Sequence, residues 1–275
     1  MKVNSRGRGE GKIAAADDRA SLIPGLYPHA KYCSRLSARS ALYTEFRLLL
    51  EGLEEPLPSE QYRESVISGN RLVRSSSSAR KKLWKELHSR YILETNHPLY
   101  LAFWNEWISC QSEPERALTA YVLLALNDRL VTDLGTDWLF SHLKRGSVEI
   151  RVEDVRTFIE NRAGSHPEVK GWSEETLKRV VRHYMASIRD FGLAKGKNKK
   201  ITVAPALNAA PVRLLIRALR IAGKKPAELI HDPVFRLIAI DRSDIVDALG
   251  ELHRRGELRF KMQADVIELE LRVEK

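Results

Sequence analysis

Cysteine is nearly absent from the 275 residues: Cys33 and Cys110 are the only two. They are too few for a disulfide framework and too far apart for a CxxC site, so they point to a reducing cytosol and read as small buried hydrophobes. Long apolar runs are missing as well. The most apolar stretch, Ala117 to Leu126 (ALTAYVLLAL), is about half of the ~20 residues that a membrane-spanning helix requires, and Asn127-Asp128-Arg129 ends it. No membrane role is expected. The opening MKVNSRGRGEGK has charges and glycines but no apolar core behind them, which fails the signal-peptide pattern, so residues 1–20 are expected to form a disordered basic tail. There is no HExxH, no GxSxG and no paired CxxC. The eight histidines are scattered. His166 precedes Pro167 in an expected loop, His183 falls between the two faces of a helix, and His231-Asp232-Pro233 reads as a turn. These gaps point to a protein that is not an enzyme and carries neither metal nor cofactor.

What the chain has in excess is positive charge. Against 36 Asp and Glu stand 46 Lys and Arg, a formal net charge of +10. Such a field favours an anionic partner, nucleic acid or an acidic membrane surface. With 43% hydrophobic residues there is material for one large or two small cores.

The periodicity is mainly helical. Leu42, Phe46, Leu49, Leu50 and Leu53 recur at steps of three and four, predicting a helix over Ala41 to Leu53 that stops near Gly52 and Pro56. A second helix follows Pro58 with Tyr62, Val66 and Ile67 inward. Gly69-Asn70 then turns the chain, and four serines, Ser75 to Ser78, offer N-cap hydroxyls for a third over Ala79 to Tyr91. Ala79, Leu83, Leu87 and Tyr91 face inward on that third helix, while Lys81, Lys82, Lys85 and Ser89 face out. Arg74 and Arg80 flank its start, where exposed amides favour an anion. Helix, break and basic helix make a helix-turn-helix-like element. Three further helical segments lie between Pro98 and Gly146. Their Trp104, Trp107, Tyr121 and Trp138 recur at helical spacing, as core residues do, and not on alternating strand positions.

After Gly146 the pattern changes. Val148 to Val152 reads as a short strand, Asp154 to Asn161 as a short helix, and Ser173-Glu174-Glu175 as the cap of a long one. In that long helix Leu177, Val180, Val181, Tyr184 and Ile188 form one stripe, and Lys178, Arg182 and Arg189 lie roughly 120° away. The helix ends at Gly192. Lys195, Lys197, Lys199 and Lys200 then crowd the tip of a β-hairpin before Ile201-Thr202-Val203. A basic helix followed by a basic hairpin is the layout of a winged helix, whose helix enters the major groove and whose wing touches phosphates. Gly192 to Asn198 also resembles a phosphate-cradling loop, but it has three residues where four belong between the glycines, Asn198 in place of Ser or Thr, and a helix before it. The plainer alternative is a solvated loop that keeps the protein soluble.

The last segment repeats the layout. Pro211 to Ala222 reads as helix, as does Asp244 to Arg255, and two alternating strands follow, Glu257 to Met262 and Val266 to Val273. Glu268, Glu270 and Glu274 make this second hairpin repel phosphate, so a structural or protein-facing role is expected for it. The predicted fold is therefore mainly α: a helical bundle with the helix-turn-helix-like element over 21–146, then winged-helix-like units over 147–275, about 147–205 and 211–275.

Several stretches carry a resemblance: LLLEG at 48–52, SVISGNRLVRSSSSARKKLWKEL from Ser65 to Leu87, His97-Pro98 with the aromatic helix behind it, and WSEETLKRV with DFGLAKG at 172–196. Together they resemble the BrxA family of BREX (bacteriophage exclusion) systems over about residues 21–205. The resemblance implies a small, mainly helical, non-catalytic component of a bacterial phage-defence operon that binds DNA through helix-turn-helix-like elements. That family has also been compared in fold with NusB-type transcription antitermination proteins, which keeps RNA open.

The resulting expectation is a cytoplasmic protein that binds double-stranded DNA mainly through phosphates. Its anchors would be Arg74, Arg80, Lys81, Lys82 and Lys85 around one helix, Lys178, Arg179 and Arg182 on another, and Lys195, Lys197, Lys199 and Lys200 in the wing. Arg179 and Arg182 suit base edges best, because a guanidinium offers two parallel donors to guanine. The competing readings are an assembly module that contacts other BREX components, and an RNA-binding factor that prefers single-stranded loops.

Overall fold

The computed structural model of the chain describes residues 22–263 and 266–271. The expected tail at 1–20 and Glu274 lie outside them. Within them the protein is mainly α with two small antiparallel sheets.

The first half is helical throughout: α1 (Tyr43–Leu50), α2 (Ser59–Ile67), α3 (Ser77–Tyr91), α4 (Pro98–Ser109), α5 (Glu113–Leu126), α6 (Arg129–Asp133) and α7 (Phe140–Lys144). Three of these starts, those of α3, α5 and α6, have a side-chain cap. Ser76 Oγ accepts from Ala79 N at 3.1 Å, Ser112 Oγ from Glu115 N at 3.3 Å, and Asp128 Oδ1 from Leu130 N at 3.1 Å, meeting amides that the first turn leaves free. Between α6 and α7 the backbone stays helical but widens into a π turn, Leu134–Leu139. Gly135 lies in it because a Cβ there would meet Tyr121 OH at 2.3 Å and Leu237 Cδ2 at 2.4 Å. The wider turn is what lets this helix pass so close to its neighbours.

The predicted aromatic core is present. Phe46 stacks on Tyr91 with ring centroids 3.7 Å apart, and Phe103 and Trp107 tilt against Phe46. The helix expected over Ala41 to Leu53 is shorter, because Leu42 takes a left-handed conformation (φ 60°) and Gly52 another (φ 74°). The helix-turn-helix-like pair is α2 and α3, which pack together across residues 68–76, a longer connection than the usual turn of three or four.

The second half contains β1 (Glu149–Ile150), α8 (Val152–Asn161), α9 (Glu174–Asp190), β2 (Ala194–Lys195) and β3 (Lys200–Thr202). The strand predicted as far as Val152 stops at Ile150. Val152 starts α8 instead, with Glu153 and Asp154 placed where the helix dipole favours acids. The three strands form an antiparallel sheet in the order β1-β3-β2, with Ala194 opposite Thr202 and Ile150 opposite Lys200. Thr202, fully buried, pins this sheet: its hydroxyl donates to Gly146 O at 2.6 Å and accepts from Val148 N at 3.0 Å.

The chain closes with α10 (Ala209–Ile221), α11 (Pro226–Leu229), α12 (Ile245–Arg254), β4 (Leu258–Gln263) and β5 (Val266–Leu271). The last two pair as a hairpin, in which Arg259 reaches across to Glu268 at 3.0 Å. Although α10 precedes that hairpin in sequence, it packs on α4 and α5, and one hydrophobic core runs through residues of both halves. Two buried carboxylates hold it there. Glu115 Oε1 accepts from Ala210 N at 3.1 Å, and Glu106 accepts Arg213 Nε and Arg217 Nε, each at 2.6 Å.

Candidate nucleic-acid interface

Helix α9 begins where the serine predicted to cap it accepts Thr176 N at 3.2 Å. Glu174 at its start forms a two-pronged ion pair with Arg156 of α8, fixing the two helices to each other. The predicted stripe, Leu177, Val180, Val181, Tyr184 and Ile188, is buried together with Met185. Lys178, Arg179, Arg182 and Arg189 are exposed on the opposite side. Gly192 (φ 79°) ends the helix, and Leu193 N donates back to Ile188 O at 2.8 Å, so the hairpin leaves α9 in a fixed direction.

In the hairpin, residues 196–199 form the exposed tip with Lys195 beside it. Gly196 is required there, since its φ is 96° and a Cβ would meet Lys199 O at 2.0 Å. Lys200 is half-buried and its Nζ donates to Lys197 O at 3.1 Å. The tripeptide Asp190-Phe191-Gly192, which matches a kinase magnesium motif in letters, is here a helix end. Phe191 is buried and Asp190 pairs with Arg189.

The predicted cations divide by what they touch. Lys81, Lys82, Lys85, Lys178, Arg182, Lys195, Lys197, Lys199 and Lys200 have no carboxylate partner among the described residues, whereas Arg179 pairs with Glu175 at 2.8 Å. That exposed pair is weak and can reopen toward another anion. Arg74 donates to Glu45 at 2.7 Å while its side chain stays about a third exposed, so its charge is partly answered within the protein. Arg80 is half-buried, with its Nε enclosed and unpartnered among the described residues. In the last turn of α3, Arg90 has no exposed side-chain surface. It joins α3 to the segment 35–41 through the carbonyls of Arg35, Arg39 and Ser40.

Among the described residues, no hydrogen bond or ion pair joins the α3 lysines directly to α9. The link is the segment 35–41, bonded to α3 through Arg90 and to α9 through His183 and Ser187. Burial holds His183 below the usual histidine range, and its Nδ1 donates to Leu36 O at 2.5 Å. The neutral ring is thus a strut within the basic face, without adding charge to it.

His166, expected in a loop, is buried. It stacks on Tyr32 at 3.6 Å and approaches Glu168 at 3.4 Å and Asp133 at 3.9 Å, while Tyr32 OH donates to Asp133 at 2.5 Å. This packed cluster anchors the first described residues. Among the described residues, no group of three or more His, Cys, Asp or Glu is arranged to hold a metal ion, and no helix is long and apolar enough to cross a membrane.

Cys33 departs from the simple expectation of an apolar buried thiol: it donates to buried Asp128 at 2.9 Å. Burial, then the Asp128 charge, pushes the Cys33 thiol up to about 12, and burial pushes Cys110 up to about 12. A raised pKa means less thiolate at pH 8, so alkylation of native protein by iodoacetamide is expected to run on the order of a thousandfold slower than that of free cysteine. Rapid labelling of either residue, read by mass spectrometry, would show that these sites open.

What these elements define is a mainly α protein with a cationic face carried by α9 and the hairpin behind it. The BrxA family model matches residues 30–218, well over half of the chain, and the chain belongs to the BrxA family, a component of BREX phage defence. Among solved structures, an uncharacterized protein from Magnetospirillum magneticum shares the fold. Its crystal structure superposes with a TM-score of 0.54 at 15% identity, covering 76% of this chain and 98% of that one. No curated protein matches.

Proposed function

We propose that the protein is a non-catalytic double-stranded-DNA-binding component of its BREX system, with α8, α9 and the three-stranded sheet acting as a winged-helix unit. In this reading α9 lies in the major groove, and Lys195, Lys197, Lys199 and Lys200 form the wing on the phosphate backbone. The α3 lysines 81, 82 and 85 supply a second set of phosphate contacts. Arg182, the unpaired guanidinium of α9, reads base edges, and Arg179 joins it when the Glu175 pair opens. Binding positions the defence machinery on DNA without altering the DNA.

One observation carries the reading: Lys178 and Arg182 of α9 and the four lysines of the hairpin lack carboxylate partners among the described residues, in a chain where many arginines, Arg179 and Arg189 of α9 included, are paired. A surface kept free of internal neutralisation favours an external polyanion. The test is the affinity for a duplex across a salt series, with duplex and hairpin RNA as competitors, for wild type and for Lys178→Ala with Arg182→Ala. The doubly substituted protein is expected to show a log–log salt slope flatter by about two units. Equal slopes would remove α9 from the interface, and preference for the RNA hairpin would replace DNA with RNA.

A further inference from the structure

The segment between α1 and the first described residues carries a cation that periodicity did not single out. Arg39 sits in the linker 35–41, half-buried and without an ion-pair partner among the described residues. The linker is held from both sides. On the α3 side, fully buried Arg90 forms an ion pair with the Glu86 carboxylate and spends the rest of its guanidinium on backbone: Nε on Ser40 O at 3.1 Å, Nη2 on Arg35 O at 2.9 Å and Arg39 O at 3.0 Å, and Nη1 on Glu86 O at 3.0 Å. On the α9 side, Leu36 O receives His183 Nδ1, and Ala41 N donates to Ser187 Oγ at 2.8 Å. The backbone at Arg39 is therefore fixed, and its side chain is free.

That side chain lines an open groove of about 340 Å³ whose other wall is His183, Ala186 and Asp190 of α9. The groove adjoins the basic face. Arg182 and Ala186 are four residues apart and so differ by only ~40° around the helix. Two carboxylates border the groove, and each already has a partner. Glu45 is held by Arg74 at 2.7 Å and Asp190 by Arg189 at 2.8 Å.

We infer that Arg39 is a further phosphate contact, lying between the α3 and α9 faces and joining them into one nucleic-acid-binding surface. The inference rests on the DNA-binding reading above. Arg90 acts as its positioning residue: by bonding the Arg39 carbonyl it pre-orders the backbone, so little conformational freedom remains to be lost on binding. The shared linker also ties the two basic helices to each other.

The test compares wild type with Arg39→Ala, Arg39→Lys and, as a control for net charge, Lys261→Ala in the far hairpin, using one duplex across a salt series. Arg39→Ala is expected to flatten the slope by about one unit and to weaken binding about eightfold at ~0.1 M salt, while Arg39→Lys keeps the wild-type slope. Lys261→Ala is expected to match wild type. Thermal unfolding of Arg39→Ala should be unchanged, because the internal bonds at this position come from its backbone. If wild type binds duplex and Arg39→Ala matches Lys261→Ala, the contact is refuted and the DNA reading stands. If wild type fails to bind duplex at all, the DNA reading falls and the Arg39 contact with it.

Discussion

Replacing Glu106 by alanine is expected to cost about 3–5 kcal/mol of stability. Its side chain is 2% exposed and receives two guanidinium groups, Arg213 and Arg217, at 2.6 Å each. Arg213 is itself 8% exposed; it also bonds Glu257 at 2.6 Å and Ser109 Oγ at 2.7 Å. Removing the carboxylate leaves a buried guanidinium with only a half-exposed acid to answer it, and water cannot enter to compensate. For a chain of this size the loss corresponds to a fall in the melting temperature of roughly 10 °C. Glu106→Gln keeps the volume and one acceptor, so it should fall between wild type and alanine. A loss below about 1 kcal/mol for Glu106→Ala would mean that the network is open to solvent.

Changing Lys197, Lys199 and Lys200 together to alanine is expected to flatten the duplex-binding salt slope by nearly three units. Each true phosphate contact contributes about 0.9 to that slope, so at ~0.1 M salt three contacts amount to on the order of 500-fold in affinity, about 3.7 kcal/mol. Lys200 should contribute least, since it is half-buried and its ammonium is already bonded to Lys197 O. Because Gly196 and Thr202 set the shape of the hairpin and are untouched, the fold should survive. An unchanged slope and affinity would make these lysines a solvated loop and shift the function toward contacts with other BREX components.

Much of this was legible in local sequence. The serine caps of α3 and α9, the apolar stripe of α9, the helix end at Gly192 and the hairpin behind it all follow from spacing and residue type, and the structure has them. So do the exposed lysines, which need only a helical wheel. Other features depend on partners far along the chain. Glu106 sits among Phe103, Trp104 and Trp107, and nothing local reveals that its arginines arrive with α10. The Glu45 partner of Arg74 arrives from α1, which the helical pattern around Arg74 does not show. Arg90 and Arg39 owe their roles to backbone carbonyls, which carry no side-chain signature. His166 lay next to a proline and read as loop, yet Tyr32 covers it.

The capping of α10 by Glu115 bears on how the chain is made. That carboxylate and Glu106 are buried in the bundle, but the groups that answer them, Ala210 N, Arg213 and Arg217, come about a hundred residues later. At ~5–20 residues per second a ribosome takes roughly 5–20 s to deliver them. Until then Glu106 lacks both of its guanidinium partners and Glu115 has only the Gln111 amide at 2.9 Å, so the emerging bundle is expected to be loose, and the family match closes at residue 218, inside the very helix that completes it. A shortened version of this protein that stops before α10 is therefore expected to be less stable than one that keeps it.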